Sequence, residues 1–300
     1  MMKNYDFVGK LKTWLIVSAA IMLVGVACLA IFGVDLDISF KGGTRIQYPY
    51  AGALDAAAFE KTVEEVLGHN VTVEQGDKIV TATLVENIDN DQWTTLQTRM
   101  EKDFTALDTE AADLQTLSAS MGAKFLLRCG LALLLAAVLL IVYVGFRFRK
   151  IGGVPAGVSA LIALVHDLLI VFFTFVIFGI QLDNNFVAVM LTILGYSLND
   201  TIVIFDRVRT LRRRSDAPLE EVVNDSLHHV LRRTIVTTLT TCLAILAVLV
   251  VALVMGVNSI ISFALPMLFG AISGSYSSLF LSGPIWVRWM NAREKKAAKK

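Results

Sequence analysis

Charged residues, cysteines and prolines are all scarce in this sequence. Asp, Glu, Lys and Arg make up only 18% of the 300 residues, whereas soluble domains average about 25%. The formal net charge of +1 lacks the basic surplus of a nucleic-acid-binding protein. Cys28, Cys129 and Cys242 all lie in apolar runs, so we expect buried thiols and exclude a disulfide scaffold. Five prolines and 20 glycines exclude a low-complexity protein.

Apolar residues, in contrast, are abundant. They make up 55% of the chain, and the mean hydropathy is +0.65. A membrane-spanning helix needs about 20 consecutive apolar residues, and six runs approach or exceed that length. The first run is longer than the core of a cleaved signal peptide, so we expect it to remain as an anchor. The six predicted spans cover residues 14–32, 126–146, 151–182, 186–205, 234–254 and the interior of 257–287.

In the short connections between the predicted spans and at the chain ends, Lys and Arg lie on one side only. Lys and Arg collect on the cytoplasmic side of membrane proteins, and the loops 181–185 and 256–259 contain neither. This distribution predicts a multi-pass protein with both termini in the cytoplasm. The basic segments are residues 1–13, 147–150, 206–233 and 288–300.

A polar stretch separates the first two spans. Residues 34–124 hold 16 acidic and 7 basic residues, a net charge of −9, and lie outside the membrane in this topology. Apolar periodicity predicts a strand in the part of residues 38–50 that follows Gly42-Gly43, strands over 70–75 and 78–85, and helices over 54–67 and 91–107. Gly76-Asp77 suits the tight turn of a hairpin. The order βαββα is typical of a small α+β domain of the split βαβ, or ferredoxin-like, type.

The sequence therefore predicts a polytopic α-helical membrane protein with six transmembrane helices and a small ferredoxin-like α+β domain outside the cytoplasm. We expect four parts. They are residues 1–33 (cytoplasmic N-terminus and first transmembrane helix), 34–124 (extracytoplasmic domain), 125–289 (five transmembrane helices) and 290–300 (basic cytoplasmic tail).

Apart from Arg128 near the start of the second span, two predicted spans contain charged or titratable residues, which are costly in a bilayer and point to function. Asp200 lies 14 residues after Phe186, about 21 Å along a helix, in the cytoplasmic third of the fourth span. Asp167 follows His166 near the middle of the third span. A desolvated carboxylate can hold a proton because burial disfavours its charged form, and a nearby Arg has the opposite effect. Arg233 starts the fifth span at a compatible depth, so we predict a proton relay of Asp200 and Arg233.

Other polar side chains are predicted to support this relay. Thr237 and Thr241 follow Arg233 on one face of the fifth span, where hydroxyls could line a water path. Each group also has a simpler interpretation. Arg233 can be a positive-inside anchor, the threonines can bond the carbonyls four residues before them, and His166 can be a packing side chain. The supporting set is Ser197, Asn199, His166, Asp167, Thr237 and Thr241.

Two other functions are compatible with these residues. An intramembrane aspartyl protease would use Asp167 and Asp200 as facing carboxylates at one depth, although neither lies in a Gly-x-Gly-Asp sequence. Half of a proton-coupled small-molecule exporter would share the membrane body, although residues 34–124 are few for a substrate-binding domain. No nucleotide, metal or catalytic site is predicted, so we expect a transport subunit rather than an enzyme.

Five short sequences connect the chain to a known family. They are GYSLNDTIVIFDR at 195–207, ALIALVHD at 160–167, RTIVTTLTT at 233–241, GSYSS at 274–278 and FKGGT at 40–44. With these sequences the chain resembles the SecD/SecF family of bacterial protein-export membrane subunits, and within it the SecF members. The likeness covers the whole chain, including the order of the spans. It departs at Ser39, where the family commonly has Asp, and at Thr210-Leu211, where Glu-Asn is frequent.

The resemblance implies half of a pseudo-symmetric transporter of the resistance-nodulation-division superfamily in the bacterial cytoplasmic membrane. SecD would form the other half, and the pair would associate with the SecYEG channel. The family uses the proton gradient, without a cofactor, to promote late stages of export of an unfolded polypeptide. Asp200 and Arg233 match its proton-conducting residues. Protons and membrane lipid are the remaining expected partners.

Overall fold

The structure is a computed structural model that describes residues 5–76 and 78–298. Parts of the charge and hairpin predictions rest on Lys3, Asp77, Lys299 and Lys300, which lie outside the described residues. In chain order the elements are α1 (Leu11–Phe32), α2 (Ile38–Lys41), β1 (Gly43–Pro49), α3 (Ala56–Leu67), β2 (Thr72–Gln75), β3 (Ile79–Leu84), α4 (Asn90–Asp103), β4 (Asp113–Leu117), α5 (Ala119–Arg147), α6 (Gly153–Ile177), α7 (Asn184–Arg212), α8 (Leu219–Val254), α9 (Asn258–Ser277) and α10 (Gly283–Ala297). A π-helical segment, Ser278–Ser282, joins α9 to α10.

The described residues contain six helices that are long and apolar enough to cross a membrane. This confirms the number of predicted spans, although several bounds differ. The third span was predicted through residue 182, but α6 ends at Ile177 because Gly179, at φ +61°, turns the chain. The six helical stretches are Leu11–Phe32, Gly122–Arg147, Gly153–Ile177, Asn184–Arg212, Leu219–Val254 and Asn258–Ala297.

Strands β1 to β4 form one antiparallel sheet in the order β2-β3-β1-β4. Thr44 on β1 lies opposite Leu84 on β3 and Thr116 on β4. Helices α3 and α4 contribute Phe59 and Leu96 to the core beneath the sheet. The predicted helices and the strands β2 and β3 are present, while β4 was not predicted.

A short helix, α2, precedes the first strand. The carboxylate of Asp37 accepts a hydrogen bond from the Ser39 N–H at 2.9 Å and caps α2. The strand begins only at Gly43. Arg45 on β1 forms an ion pair with the buried Asp37 carboxylate, so the helix and the strand are held together. The sequence placed the strand after the Gly42-Gly43 pair, and β1 starts there, while the short helix before it was not predicted.

Main-chain hydrogen bonds join the base of this domain to the connection between α6 and α7. The Asp37 N–H donates to the Leu182 carbonyl at 3.1 Å, and the Leu182 N–H donates to the Asp35 carbonyl at 2.9 Å. Leu36 and Leu182 thus form a parallel bridge. Gly122 at the start of α5 lies so close to α2 that a Cβ would stand 2.4 Å from the Phe40 carbonyl oxygen. The sheet domain therefore rests on two helices of the membrane region.

Three of the membrane helices form the interior of the bundle. In their most apolar stretches, 56% of the residues of α6, 50% of α7 and 44% of the segment that includes α9 are buried, against 11%, 0% and 11% in α1, α5 and α8. Cys28, Cys129 and Cys242 lie on these peripheral helices and are partly exposed. The expectation of buried thiols is therefore wrong, because the chain leaves the outer faces uncovered. Polar groups shielded by protein must lie among α6, α7 and α9.

Candidate functional site

Asp167 is the centre of a polar cluster at the point where α6, α7 and α9 meet. Its side chain is fully buried and accepts hydrogen bonds from Ser197 on α7 and from Ser273 and Ser277 on α9, each at 2.6 Å. Such short O–H···O contacts are typical of an ionised acceptor. One carboxylate therefore joins three membrane helices.

Small residues on α9 make this approach possible. A Cβ on Gly274 would lie 3.0 Å from the Ser197 Cβ, and one on Gly270 would lie 2.7 Å from a side-chain carbon of Ile193. Ser273 and Ser277 are four residues apart, so they share one face of α9. Glycine and serine at this spacing bring α7 and α9 close enough for all three hydroxyls to reach Asp167.

His166 completes the cluster on α6. Its Nδ1 lies 3.2 Å from Asp167 Oδ1 and 3.4 Å from the Ser273 hydroxyl. Its Nε2 is buried and has no hydrogen-bond partner among the described residues. The ring lies 5.8 Å from that of Tyr276, centroid to centroid, and the Tyr276 hydroxyl donates to the Trp14 carbonyl at 2.9 Å. The cluster thus extends from α6 through α9 to α1.

Asp200 lies on the other side of α9. Asp200 is 9% exposed and lies near Ser275, and its Oδ2 atom is buried without a hydrogen-bond partner among the described residues. Ser275 forms a hydrogen bond with Thr238 on α8. Two residues correspond to about 200° around a helix, so Ser275 faces away from Ser273 and its partner Asp167. The two carboxylates therefore do not form the facing pair that an aspartyl protease requires.

Arg233 acts on Asp200 electrostatically but is exposed on the bundle surface. No ion pair within 4.0 Å joins the two among the charged groups that the structure describes. Thr237 donates to the Arg233 carbonyl at 2.9 Å, which is the simpler of its two interpretations. Asn199 is exposed, and Thr241 is half-buried on α8. The structure thus brings together Ser197, His166 and Asp167, but not Asn199 or Thr237, in the interior.

The serine cluster around Asp167 is the feature that the sequence interpretation missed. Ser273, Ser275 and Ser277 alternate along α9, and this spacing sends polar groups to both sides of one apolar helix. In the sequence they read only as small packing residues. Their alternation, together with a carboxylate in each of two other spans, was the available signal.

The sequence of the chain is similar to those of known proteins. Residues 96–292 match the family described as protein export membrane protein SecD/SecF, C-terminal. The protein translocase subunit SecF of Alicyclobacillus acidocaldarius is 32% identical, and the match covers 100% of this chain and 97% of that protein. The SecF subunit of Synechocystis is 33% identical, with 94% and 93% covered.

Solved structures extend the likeness to the fold. SecDF of Thermus thermophilus superposes with a TM-score of 0.80 at 26% identity, covering 97% of this chain and 39% of that one. SecDF in a super-membrane-facing form gives a TM-score of 0.62 at 27% identity, covering 40% of its chain. The chain thus spans about two fifths of the solved SecDF chains. The family match over most of its length, together with full-length relatives, shows that the chain belongs to the SecD/SecF family of protein-export membrane proteins.

Proposed function

We propose that this protein-export subunit uses the proton gradient, together with SecD, to promote late stages of export across the bacterial cytoplasmic membrane. Its SecF relatives are protein translocase subunits, and the chain is an accessory subunit of the same kind. The observation that carries the proton coupling is Asp200, a nearly buried carboxylate in a membrane helix with Arg233 acting on it. An ionisable group at such a depth is costly unless it has a function.

SecD is the proposed partner, because relatives of this chain occur as part of longer SecDF proteins. SecDF of Bacillus subtilis is 32% identical to this chain over 98% of its length, and the chain covers 39% of that protein. A SecDF chain therefore contains a region similar to this chain and, in the same polypeptide, a longer region that this chain does not match. The uncovered faces of α5 and α8 are suited to SecD and to lipid. Association with the SecYEG channel and contact with an unfolded polypeptide follow from the same proposal.

The sheet domain, residues 34–124, is assigned to the outer side of the membrane with a ferredoxin-like fold. Its strand order, with α3 and α4 as the two crossovers, is that of a split βαβ unit. Its net charge of −9 and the basic residues on the opposite connections favour this side. Both termini then lie in the cytoplasm, with residues 1–33, 125–289 and 290–300 as the anchor, the five-helix region and the tail.

The proposed cycle begins when Asp200 takes up a proton that arrives from outside and ends when it releases that proton to the cytoplasm. Each charge that crosses the membrane supplies about 2.3 kcal/mol per 100 mV. Neutralising Asp200 beside Arg233 changes the packing of α7 against α8 and α9. Leu182, next to the start of α7, is bonded to the base of the sheet domain, so movement of α7 reaches the domain that would hold the emerging polypeptide.

Replacing Asp200 with Asn tests this proposal. The variant is assayed with SecD and the channel in inverted membrane vesicles, with and without a proton gradient. We expect the gradient-dependent part of export to disappear while SecD still co-purifies. Asp216→Asn, which alters an exposed carboxylate beyond the end of α7, is the matched control. Normal gradient-dependent export by Asp200→Asn would contradict the proposal.

A further inference from the structure

The proposed cycle uses Asp200 and leaves the buried pair of His166 and Asp167 without a function. We propose that the Nε2 atom of His166 is a second proton-binding site within this bundle, that Asp167 is its positioning residue, and that α9 couples it to Asp200. The coupling rests on the proposed function of Asp200, whereas the existence of the site does not.

The hydrogen bonds around Asp167 match an ionised carboxylate. Two carboxylate oxygens offer about four acceptor positions. Three are taken by the hydroxyls of Ser197, Ser273 and Ser277, and Nδ1 of His166 lies at the fourth. A protonated carboxyl group would have to donate to one of these groups, which would then have to turn its own hydrogen elsewhere. The observed arrangement is complete only when all four donate.

A fully buried carboxylate needs a compensating positive charge, because an unpaired charge in a protein interior is very costly. The ionisable groups that contact His166 are Asp167 on α6 and Tyr276 on α9. From the other helices, α7 supplies the Ser197 hydroxyl and α1 supplies the Ser18 hydroxyl through Tyr276. In the described part of the chain, α5, α10 and residues 278–282 add no ionisable contact to the pair. The histidine is therefore the group that can provide the charge.

The vacant ring nitrogen is where the proton binds. The hydrogen bond made by one ring nitrogen of a histidine determines which nitrogen is left free. In His166, Nδ1 faces Asp167, so Nε2 is the free nitrogen. Nε2 is buried without a partner among the described residues, which is rare for a packing histidine. The Tyr276 ring lies 5.8 Å from the imidazole ring, within the range of about 6 Å at which an aromatic face attracts a cation. Binding one proton converts the pair from singly negative to neutral overall.

Helix α9 lies between this pair and Asp200. Ser273 and Ser277 donate hydrogen bonds to Asp167, while Ser275, on the opposite face, lies near Asp200. Ser197, which also bonds Asp167, precedes Asp200 by three residues on α7. A change of charge on the His166–Asp167 pair therefore affects serines of α9 and α7 that lie close to Asp200, and a change of charge on Asp200 affects the serines that bond Asp167. Such coupling is reciprocal: protonation of either site changes the proton affinity of the other.

Nitrogen-15 NMR of histidine in the vesicle-reconstituted chain tests the site directly. The chain has four histidines, and His69, His228 and His229 lie on the sheet domain or the charged end of α8. Across a pH series, we expect one buried histidine ring to change from one protonated nitrogen to two. His166→Gln removes this signal. If that variant does not fold, single Gln variants of the other three histidines assign the signal by elimination. A His166 ring whose protonation is the same at every pH would overturn the proposal.

Two variants separate the parts of the inference. Asp167→Asn removes the charge that pairs with the imidazolium, so His166 should keep one protonated nitrogen throughout that series. Asp200→Asn should preserve the change of protonation but shift its midpoint, because coupled sites alter each other's proton affinity. An unchanged midpoint would overturn the coupling through α9. Normal export by Asp200→Asn with a titrating His166 would instead reject the proposed function and support the site.

Discussion

The hydroxyl of Ser197 donates to Asp167 Oδ2 across 2.6 Å, one helical turn before Asp200 on α7. The helix that carries the proposed proton carrier is thereby fastened to a second buried carboxylate on α6. Because both residues of the pair are fully buried, water cannot replace the bond when the helices move. Rotation of α7 must therefore break or remake this contact.

Removing one hydroxyl from the cluster should destabilise the bundle. Ser277→Ala deletes a hydrogen bond to a charged group, which typically contributes about 1.5–3 kcal/mol, and we expect a loss of that size in the free energy of unfolding. Ser226→Ala is the matched control, since Ser226 is equally buried but donates only to the Val222 carbonyl of its own helix, at 2.7 Å. Denaturant unfolding in detergent measures both. Equal losses would mean that Asp167 gains nothing from the hydroxyl.

The contact between α2 and α5 should tolerate no side chain at residue 122. In Gly122→Ala, the new Cβ meets the Phe40 carbonyl oxygen, so α2 must shift, at a cost of about 1–3 kcal/mol for overpacking. Gly130 lies on the same helix with nothing within 4 Å of a Cβ. Gly130→Ala should therefore stabilise the helix by up to about 1 kcal/mol. Thermal unfolding of the two variants compares them, and a neutral Gly122→Ala would show that the two helices separate freely.

Asp183, just before α7, should make stability depend on pH. Burial raises the pKa of its carboxyl group, and the nearby Asp37 carboxylate adds to this, while hydrogen bonds from the Phe186 and Asn185 N–H groups and from Ser262 oppose it. Since the folded pKa lies above the unfolded one, the stabilising contribution is complete below about pH 4 and is lost as pH rises through the folded value.

Asp183→Asn should therefore be more stable than the wild type at neutral pH, because asparagine caps a helix as well as aspartate and carries no charge to desolvate. Its advantage should shrink as the pH falls towards about 4. Unfolding free energies across this range test the sign. Asp55→Asn makes the same exchange at the exposed cap of α3 and controls for the exchange itself. An advantage that grows in acid would contradict the assignment.

Local patterns predicted much of this fold. The length of the apolar runs alone identified the six helical spans, and apolar periodicity identified α3 and α4. Both patterns depend only on residues within a single helix, so they are visible in the sequence. The end of α6 was missed because residues 178–182 are largely apolar, and hydropathy does not detect a turn at Gly179. Strand β4 was missed because its residues are mostly exposed and depend on β1 for their pairing.

The residues of the candidate site were likewise predicted only in part. Asp200 and Asp167 were found because a charge within an apolar run is visible in one dimension. The hydrogen bonds of Ser273 and Ser277 to Asp167 form only when α9 packs against α6, so the sequence alone did not predict them. The exposure of Arg233 did not follow from the sequence, since exposure depends on which helices the chain itself leaves uncovered.

The hydrogen bonds that join the base of the sheet domain to the connection between α6 and α7 use only main-chain atoms of Asp35, Asp37 and Leu182. Any residue except proline can supply those N–H groups and carbonyls. These hydrogen bonds can therefore persist when the side chains at these positions change. A comparison that ranks positions by sequence conservation would not detect these hydrogen bonds. A proline at residue 37 or 182 would remove one of them, because proline has no N–H group.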